Sequence, residues 1–406
     1  MAVVNSMLIP NKGNLFKVSE PESISFFKLR PSPPPSLYIP KKPCHPVRAC
    51  LQQENVIRHN NKLLLRRLYR GEVNPSGGYY FSMLSTDDNN NNGPCFPLEK
   101  NYDFETHKPV VQNLHSKKWP DIAGSCNGIV CLAFFCGNNV LWNPVTDELK
   151  SLPPSSIECP SQVTQAYFTS GFGFDARSGD YKVVRCVFHY TDMPGEYTKD
   201  SCQYELYSLK SDSWRPIPEP GKDTLLHASS TSLNNGSLYW PLASRRKRLL
   251  SFDFADEVFS FLPLPINTEE FEVKLFDIDD GSNLGLIAQR ADLLEVSQRF
   301  DLWVCETKEW CWSKVDSFVV EEARFMLGLW GRDKCFFQGY NNQLLLFDRT
   351  TRELKSLGIK DFPMAMKLVP FVETTVPIKP HSKQGTNNRE AKKKAVQTIL
   401  ERARRK

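Results

Sequence analysis

Gly171-Phe172-Gly173-Phe174-Asp175-Ala176 has the G-x-G-x-x-A spacing that lets backbone amides cradle a dinucleotide pyrophosphate where a strand turns into a helix. Here the motif runs into a polar turn, Asp175–Asp180 (DARSGD), and then into Tyr181–Phe188 (YKVVRCVF), which reads as another strand. Without a helix N-terminus to supply free amides, the spacing makes no nucleotide site. Cys126, Cys131 and Cys136 form C-x4-C-x4-C with no C-x-x-C pair, and a strand-like stretch runs through them. Residues five apart on a strand point to opposite faces, so these thiols are expected as core residues rather than zinc ligands. His45, His59, His107, His115, His189, His227 and His381 are scattered, and no nucleophile elbow, phosphate loop or zinc-protease helix occurs. Asp253, Asp301 and Asp348 sit at recurring turns, where a carboxylate ordinarily caps backbone amides. No catalytic residue, metal or cofactor is assigned. One cluster could still bind something: Arg245, Arg246, Lys247 and Arg248, in a loop between two strands. Such a run keeps a sheet edge solvated, or it contacts a partner or a nuclear-import receptor.

The elements that carry these residues are short strands. Lys62–Tyr69 (KLLLRRLY) and Tyr79–Leu84 (YYFSML) flank the turn signal Asn74-Pro75-Ser76-Gly77-Gly78. A unit then recurs: an apolar strand, a polar turn, a second strand and a stop. It is read in Val140–Pro154, Tyr204–Pro218, Leu249–Pro265, Phe300–Val315 and Leu344–Leu357. Taking Asn143, Ser208, Asp253, Cys305 and Asp348 as equivalent, the spacings are 65, 45, 52 and 43 residues. A period of roughly 40–50 residues with several strands each is that of a β-propeller blade. An antiparallel β-sandwich is the alternative. A propeller must join its ends, and Met364–Thr374 (MAMKLVPFVET) is the segment expected to pair near Lys62–Tyr69.

Composition agrees with one large all-β body. Hydrophobic residues make up 40% and charged ones 24%, enough to build a core. The longest apolar run, Ile129–Cys136, is eight residues, whereas a membrane helix needs about 20. The net charge of +5 conceals segregation. Residues 1–50 hold seven basic and two acidic side chains and residues 379–406 hold ten and two, leaving 34 basic against 42 acidic on 51–378. An acidic body argues against nucleic-acid binding there. Residues 1–58, with Pro31–Pro35, read as a mostly disordered leader, or as a plastid transit peptide. In the basic tail 379–406, Ala395, Val396, Ile399, Leu400 and Ala403 share one face of an expected amphipathic helix. The twelve dispersed cysteines, with no secretory signal, point to a reducing compartment.

Gly124–Leu132 (GSCNGIVCL), followed by Leu141–Thr146 (LWNPVT), resembles the opening signature of plant F-box-associated domains. Gly171–Val184, Tyr204–Trp214, Leu250–Asp253 and Asp301–Val304 resemble the next signatures in order, so the resemblance covers about 59–375. It implies a kelch-like propeller over 59–378. It also implies the role of such proteins as substrate receptors of SCF-type ubiquitin ligases, without bond chemistry of their own. Their F-box, which binds a Skp1-type adaptor, is not recognisable in residues 1–57, where Pro31–Pro35, Pro40 and Pro43 would break its helices. Binding of that adaptor therefore stays open, and the target protein is unidentified.

Three functions follow as expectations. The first is the ligase substrate receptor. The second is a regulator or decoy that binds the same targets without the adaptor. The third is a propeller enzyme acting on a glycan or small molecule, which would need clustered carboxylates in the central channel. Cytoplasm or nucleus is the expected location, with a plastid as the alternative. Thr191–Cys202, Thr268–Lys274 and Ala288–Gln298 are expected contact surfaces on polarity and length.

Overall fold

The computed structural model describes residues 62–69, 78–85, 98–103, 120–134 and most of 137–378, leaving out 156, 158–164, 194–195, 222–230, 233–234, 243–246, 269, 279–282, 291–296, 332 and 361–365. Expectations for the leader and the basic tail lie outside the described residues. Every described element is a strand or a turn. Blade one contains β1 (Lys62–Tyr69), β2 (Gly78–Ser85) and β3 (Leu98–Asp103). Blade two is β4 (Pro120–Cys126), β5 (Ile129–Phe134), β6 (Asn139–Asn143) and β7 (Glu148–Ser151). Blade three is β8 (Gln165–Asp175), β9 (Asp180–Met193), β10 (Glu196–Ser208) and β11 (Ser213–Ile217). Blade four is β12 (Thr231–Ser232), β13 (Ser237–Pro241), β14 (Arg248–Asp253) and β15 (Val258–Pro263). Blade five is β16 (Phe271–Ile278), β17 (Asn283–Arg290), β18 (Ser297–Glu306) and β19 (Cys311–Glu321). Blade six is β20 (Ala323–Trp330), β21 (Lys334–Gly339), β22 (Gln343–Asp348) and β23 (Leu354–Lys360), and β24 (Lys367–Phe371) follows it.

β24 does not extend blade six. It pairs antiparallel with β1, from Lys62 opposite Phe371 to Arg66 opposite Lys367, giving blade one the order β24-β1-β2-β3. Six four-stranded antiparallel sheets result, and the ring closes through its two distant chain segments, as the sequence led one to expect. The first strand of each sheet (β24, β4, β8, β12, β16, β20) lines the central channel.

The strand sequences build this ring because both faces of each blade are apolar. In β22, Leu344 and Leu346 pack toward blade one while Leu345 and Phe347 pack toward blade five. The period-two alternation of a strand thus serves two neighbours at once. Among the described residues there are six buried clusters, one at each blade-to-blade interface. Fully buried Trp142, Phe172, Trp240 and Phe252 anchor three of them, each side chain contributing about 1.5–3 kcal/mol by leaving water. Trp303 and Trp312 are only half-buried and pack at the margin of the blade four–five interface.

Of the residues that set the repeat, Asn143, Ser208, Asp253 and Asp348 end the third strand of a blade and Cys305 lies one residue before its end. Asp301, in contrast, lies inside β18 and not at a turn. Asn143 accepts from the amides of Val145 and Thr146 at 2.9 and 3.3 Å, Asp253 from Ala255 and Asp256 at 2.8 Å, and Asp348 from Thr350 and Thr351 at 2.9 and 3.2 Å. Each side chain closes its own hairpin. The long first spacing has a visible cause: β9 and β10 run 14 and 13 residues, far longer than their counterparts.

Gly171 and Gly173 lie within β8 and face blade four. A methyl group built on Gly171 would overlap Leu238, and one on Gly173 would overlap Phe254. The G-x-G spacing therefore serves close packing of two blades, not phosphate binding.

Candidate functional site

Strand direction alternates within a blade, so connections gather at two ends of the ring. One end carries the turns between first and second and between third and fourth strands, which are two to five residues long except for 86–97. The other end, the loop face, carries the second-to-third loops and the links between blades. All the expected contact stretches lead there. Thr191–Cys202 spans the β9–β10 connection, Ala288–Gln298 the β17–β18 connection and Thr268–Lys274 the entry to β16. The basic run lies in the β13–β14 connection of the same end.

Of that run, Arg245 and Arg246 lie outside the described residues. Lys247 is exposed, has φ of 47°, and accepts a hydrogen bond on its carbonyl from the Leu264 amide at 2.7 Å. Arg248 opens β14, and its guanidinium lies 4.6 Å from the Phe261 ring centroid, a packing position. Of the two described residues of the run, one side chain is in solvent and the other lies on an aromatic face.

A charged cluster sits at the mouth of the channel on the loop face. Asp121, at the start of β4, accepts from Arg66 Nη1 at 3.0 Å, Lys367 Nζ at 3.2 Å and the Ile122 amide at 2.8 Å. Arg66 also donates to the Pro120 carbonyl at 3.0 Å. Burial pulls the Asp121 carboxyl upward, but Lys367 and Arg66 hold it below the usual carboxylate range. Lys274, on β16, donates to the Met326 carbonyl of β20 at 3.2 Å. Burial, reinforced by Lys367, pushes its amine from 10.5 down to about 7, with Asp121, Arg66 and Glu272 also acting on it. Blade five stands across the ring from blade two, so Lys274 and Asp121 sense one another through the channel. The cluster links four blades and presents charge to whatever enters the mouth. A carboxylate held ionised by two cations is not a general acid.

Other charged groups join blades. Arg185 lies in the blade two–three interface with its Nε donating to Glu205 at 2.6 Å, its Nη1 to the Gly137 carbonyl, and its guanidinium 4.1 Å from the Trp214 ring centroid. Ser155 Oγ completes the Glu205 carboxylate at 2.8 Å. Lys182 joins blades three and four through Asp175 at 2.8 Å and Glu257 at 2.9 Å. His189, buried, is bonded to Gln203 at 3.1 Å within blade three. The sequence carried one signal for these groups: a charged residue inside an otherwise apolar strand, as in YKVVRCVF.

The cysteine geometry needs a correction. Cys126 and Cys131 do not lie on one strand. The Asn127-Gly128 turn separates β4 from β5 and pairs Cys126 with Ile129, so both thiols share the face packed on blade three. They are nevertheless core thiols, pushed up to about 12 by burial. Among the described residues no group of three or more His, Cys, Asp or Glu is placed to hold a metal ion, and no helix is long and apolar enough to cross a membrane.

Residues 83–373, from within β2 to just past the closing strand, match the F-box associated beta propeller domain. The chain belongs to this family. Proteins similar to it in Arabidopsis thaliana include an F-box/kelch-repeat protein, 26% identical over 225 residues that cover 53% of this chain and 55% of the relative. The F-box protein CPR1 of the same plant is 27% identical over 280 residues, covering 60% of this chain and 64% of CPR1. The chain thus spans about half to two-thirds of the length of these relatives. Among solved structures, an oligogalacturonate lyase in complex with manganese covers 73% of each chain at 9% identity and a TM-score of 0.43, a likeness too slight to bear on activity.

Proposed function

We propose that the chain is the target-recognition part of an SCF-type ubiquitin ligase. On this reading it binds a protein on the loop face and performs no bond chemistry. The observation that carries the reading is the family match across the ring, 83–373, in a fold that sends its longer connections to the end where the Asp121–Lys274 cluster opens. The mechanism is positional: holding a target beside the ligase raises the effective concentration of its lysines. Relatives named as F-box proteins support it. The basic loop, Arg245 to Lys247, is proposed as one contact, and cytoplasm or nucleus as the place of action.

The test is affinity capture with the full chain from plant extract under proteasome inhibition. Recovery of a Skp1-type adaptor together with specific targets is the expected result. Targets without adaptor would replace the ligase role with that of a competitor for the same proteins. Reversing Arg245, Arg246 and Lys247 to Glu should reduce target recovery at an unchanged melting temperature; unchanged recovery would remove the loop from the interface.

A further inference from the structure

Cys186 on β9 stands opposite Tyr204 on β10, and Cys202 on β10 stands opposite Phe188 on β9. Directly opposed residues share a face, and so do residues two apart on a strand. All four side chains therefore face blade four, and the two cysteines are diagonal neighbours in its buried cluster. Their sulfurs are 2.8 Å apart, and neither cysteine is in a disulfide. A disulfide bond is about 2.05 Å long, so bonding asks for less than about 1 Å of further approach.

Two other features belong to the same place. A cavity of about 210 Å³ at the outer side of blade three is lined by Cys202, Tyr204, Ile157, Pro216, Ile217 and Glu219. It is many times the size needed for a water molecule and reaches the Cys202 side of the pair. The Tyr204 hydroxyl is buried without a conventional hydrogen bond and is close enough to both sulfurs for each to act on it. Burial, then the two thiols, push its phenol up, so it keeps its proton and remains a donor. Burial disfavours the thiolate, the form that attacks an oxidant, and a donor beside the sulfurs offsets part of that cost.

We propose that Cys186 and Cys202 form a modification site at which a hydroperoxide oxidises the thiol pair to a disulfide joining β9 to β10. Cys202, on the cavity, reacts first. Its thiolate sulfur attacks the O–O bond of the hydroperoxide, which breaks and leaves as an alcohol or, from hydrogen peroxide, as water, giving a Cys202 sulfenic acid. The Cys186 thiolate then displaces the sulfenic oxygen, which leaves as water with the thiol proton, and the S–S bond forms. Two thiols and one hydroperoxide give one disulfide, one alcohol and one water, the sulfurs losing the two electrons that the peroxide gains. A thiol reductant reverses the bond.

The bond would sit partway along the β9–β10 hairpin, whose two strands are the longest among the described residues. Beyond the cysteines, β9 continues to Met193 and β10 begins at Glu196, with a register shift between Lys199 and Ser201. Oxidation pins this extension on the loop face. The chemistry stands apart from target recognition; only a consequence for binding rests on that reading.

Trypsin gives a direct test, because it cuts after Arg185, Lys199 and Lys210 and so places the two cysteines on separate peptides, 186–199 and 200–210. The full chain is treated with hydrogen peroxide at a dose that oxidises the exposed Cys311, then denatured, alkylated and digested without reductant. The expected product is 186–199 linked to 200–210, lost on dithiothreitol treatment. Recovery of both peptides fully alkylated and unlinked, with Cys311 oxidised in the same sample, would overturn the proposal. In Cys186→Ser the first step should persist, leaving a Cys202 sulfenic acid that dimedone traps. Dimedone labelling absent from Cys202 but present on Cys311 would reject the order of attack.

Discussion

The Asn143 side-chain amide donates to the Thr374 carbonyl at 3.1 Å, and to that of Val376 at 3.0 Å. A turn in blade two therefore holds the segment that leaves β24, the strand that closes blade one. The strap continues to Ile378, whose amide donates to Glu148 at 2.9 Å and whose side chain is buried in the blade two–three cluster. Ring closure is thus a strand pairing plus a strap across the next blade.

Truncation after Lys360 should abolish cooperative unfolding, because it removes β24 and the strap and opens the blade one interfaces with blades two and six. Urea denaturation followed by tryptophan fluorescence measures this. A truncated chain that keeps the wild-type midpoint and slope would refute closure by β24. The milder Asn143→Ala should lower stability by about 1–3 kcal/mol, since it leaves buried carbonyls without their donor.

Gly173→Ala should destabilise by about 1–3 kcal/mol through overlap with Phe254, although the backbone there is ordinary strand. Pairing it with Phe254→Leu should recover part of the loss. Equal loss in single and double variants would show that the contact is not the cause.

Glu205→Ala should cost about 3–5 kcal/mol, because it leaves the Arg185 guanidinium buried without its carboxylate. Replacing both residues, Arg185→Met with Glu205→Leu, should lie closer to wild type. A double variant less stable than Glu205→Ala would contradict this account.

Lys274 makes stability depend on pH. Its folded amine releases its proton above about 7, whereas the unfolded side chain holds it to about 10.5. Between those values the unfolded chain binds more protons, so this group makes stability rise with pH; below about 7 both states are protonated and its penalty is constant. Lys274→Met should therefore stabilise the protein at pH 6–7, by about 1–3 kcal/mol, and by progressively less toward pH 10. Denaturation midpoints of both proteins across that range test it, and a gain that grows with pH would reverse the assignment.

The sequence by itself determined the period, and with it the all-β repeat. Asn143, Asp253 and Asp348 close hairpins through their own neighbouring amides, and such local hydrogen bonds are legible from residue type and spacing. It also indicated the closing strand, because a propeller must join its ends and an apolar segment follows the last repeat. Tertiary structure alone decided the rest. The alternation of Leu344, Leu345, Leu346 and Phe347 says that two faces are buried but does not name the blades that cover them. The G-x-G of β8 became a packing device only when Leu238 and Phe254 were seen against it. Cys126 and Cys131 share a face because a turn lies between them, and Cys186 meets Cys202 because β9 pairs with β10 in one register. The channel mouth brings Arg66, Asp121, Lys274 and Lys367 together from four strands, and no spacing along the chain encodes that meeting. Local turns depend on residues a few positions apart, whereas the blade-to-blade packing and the channel mouth depend on ring closure, which places distant segments side by side.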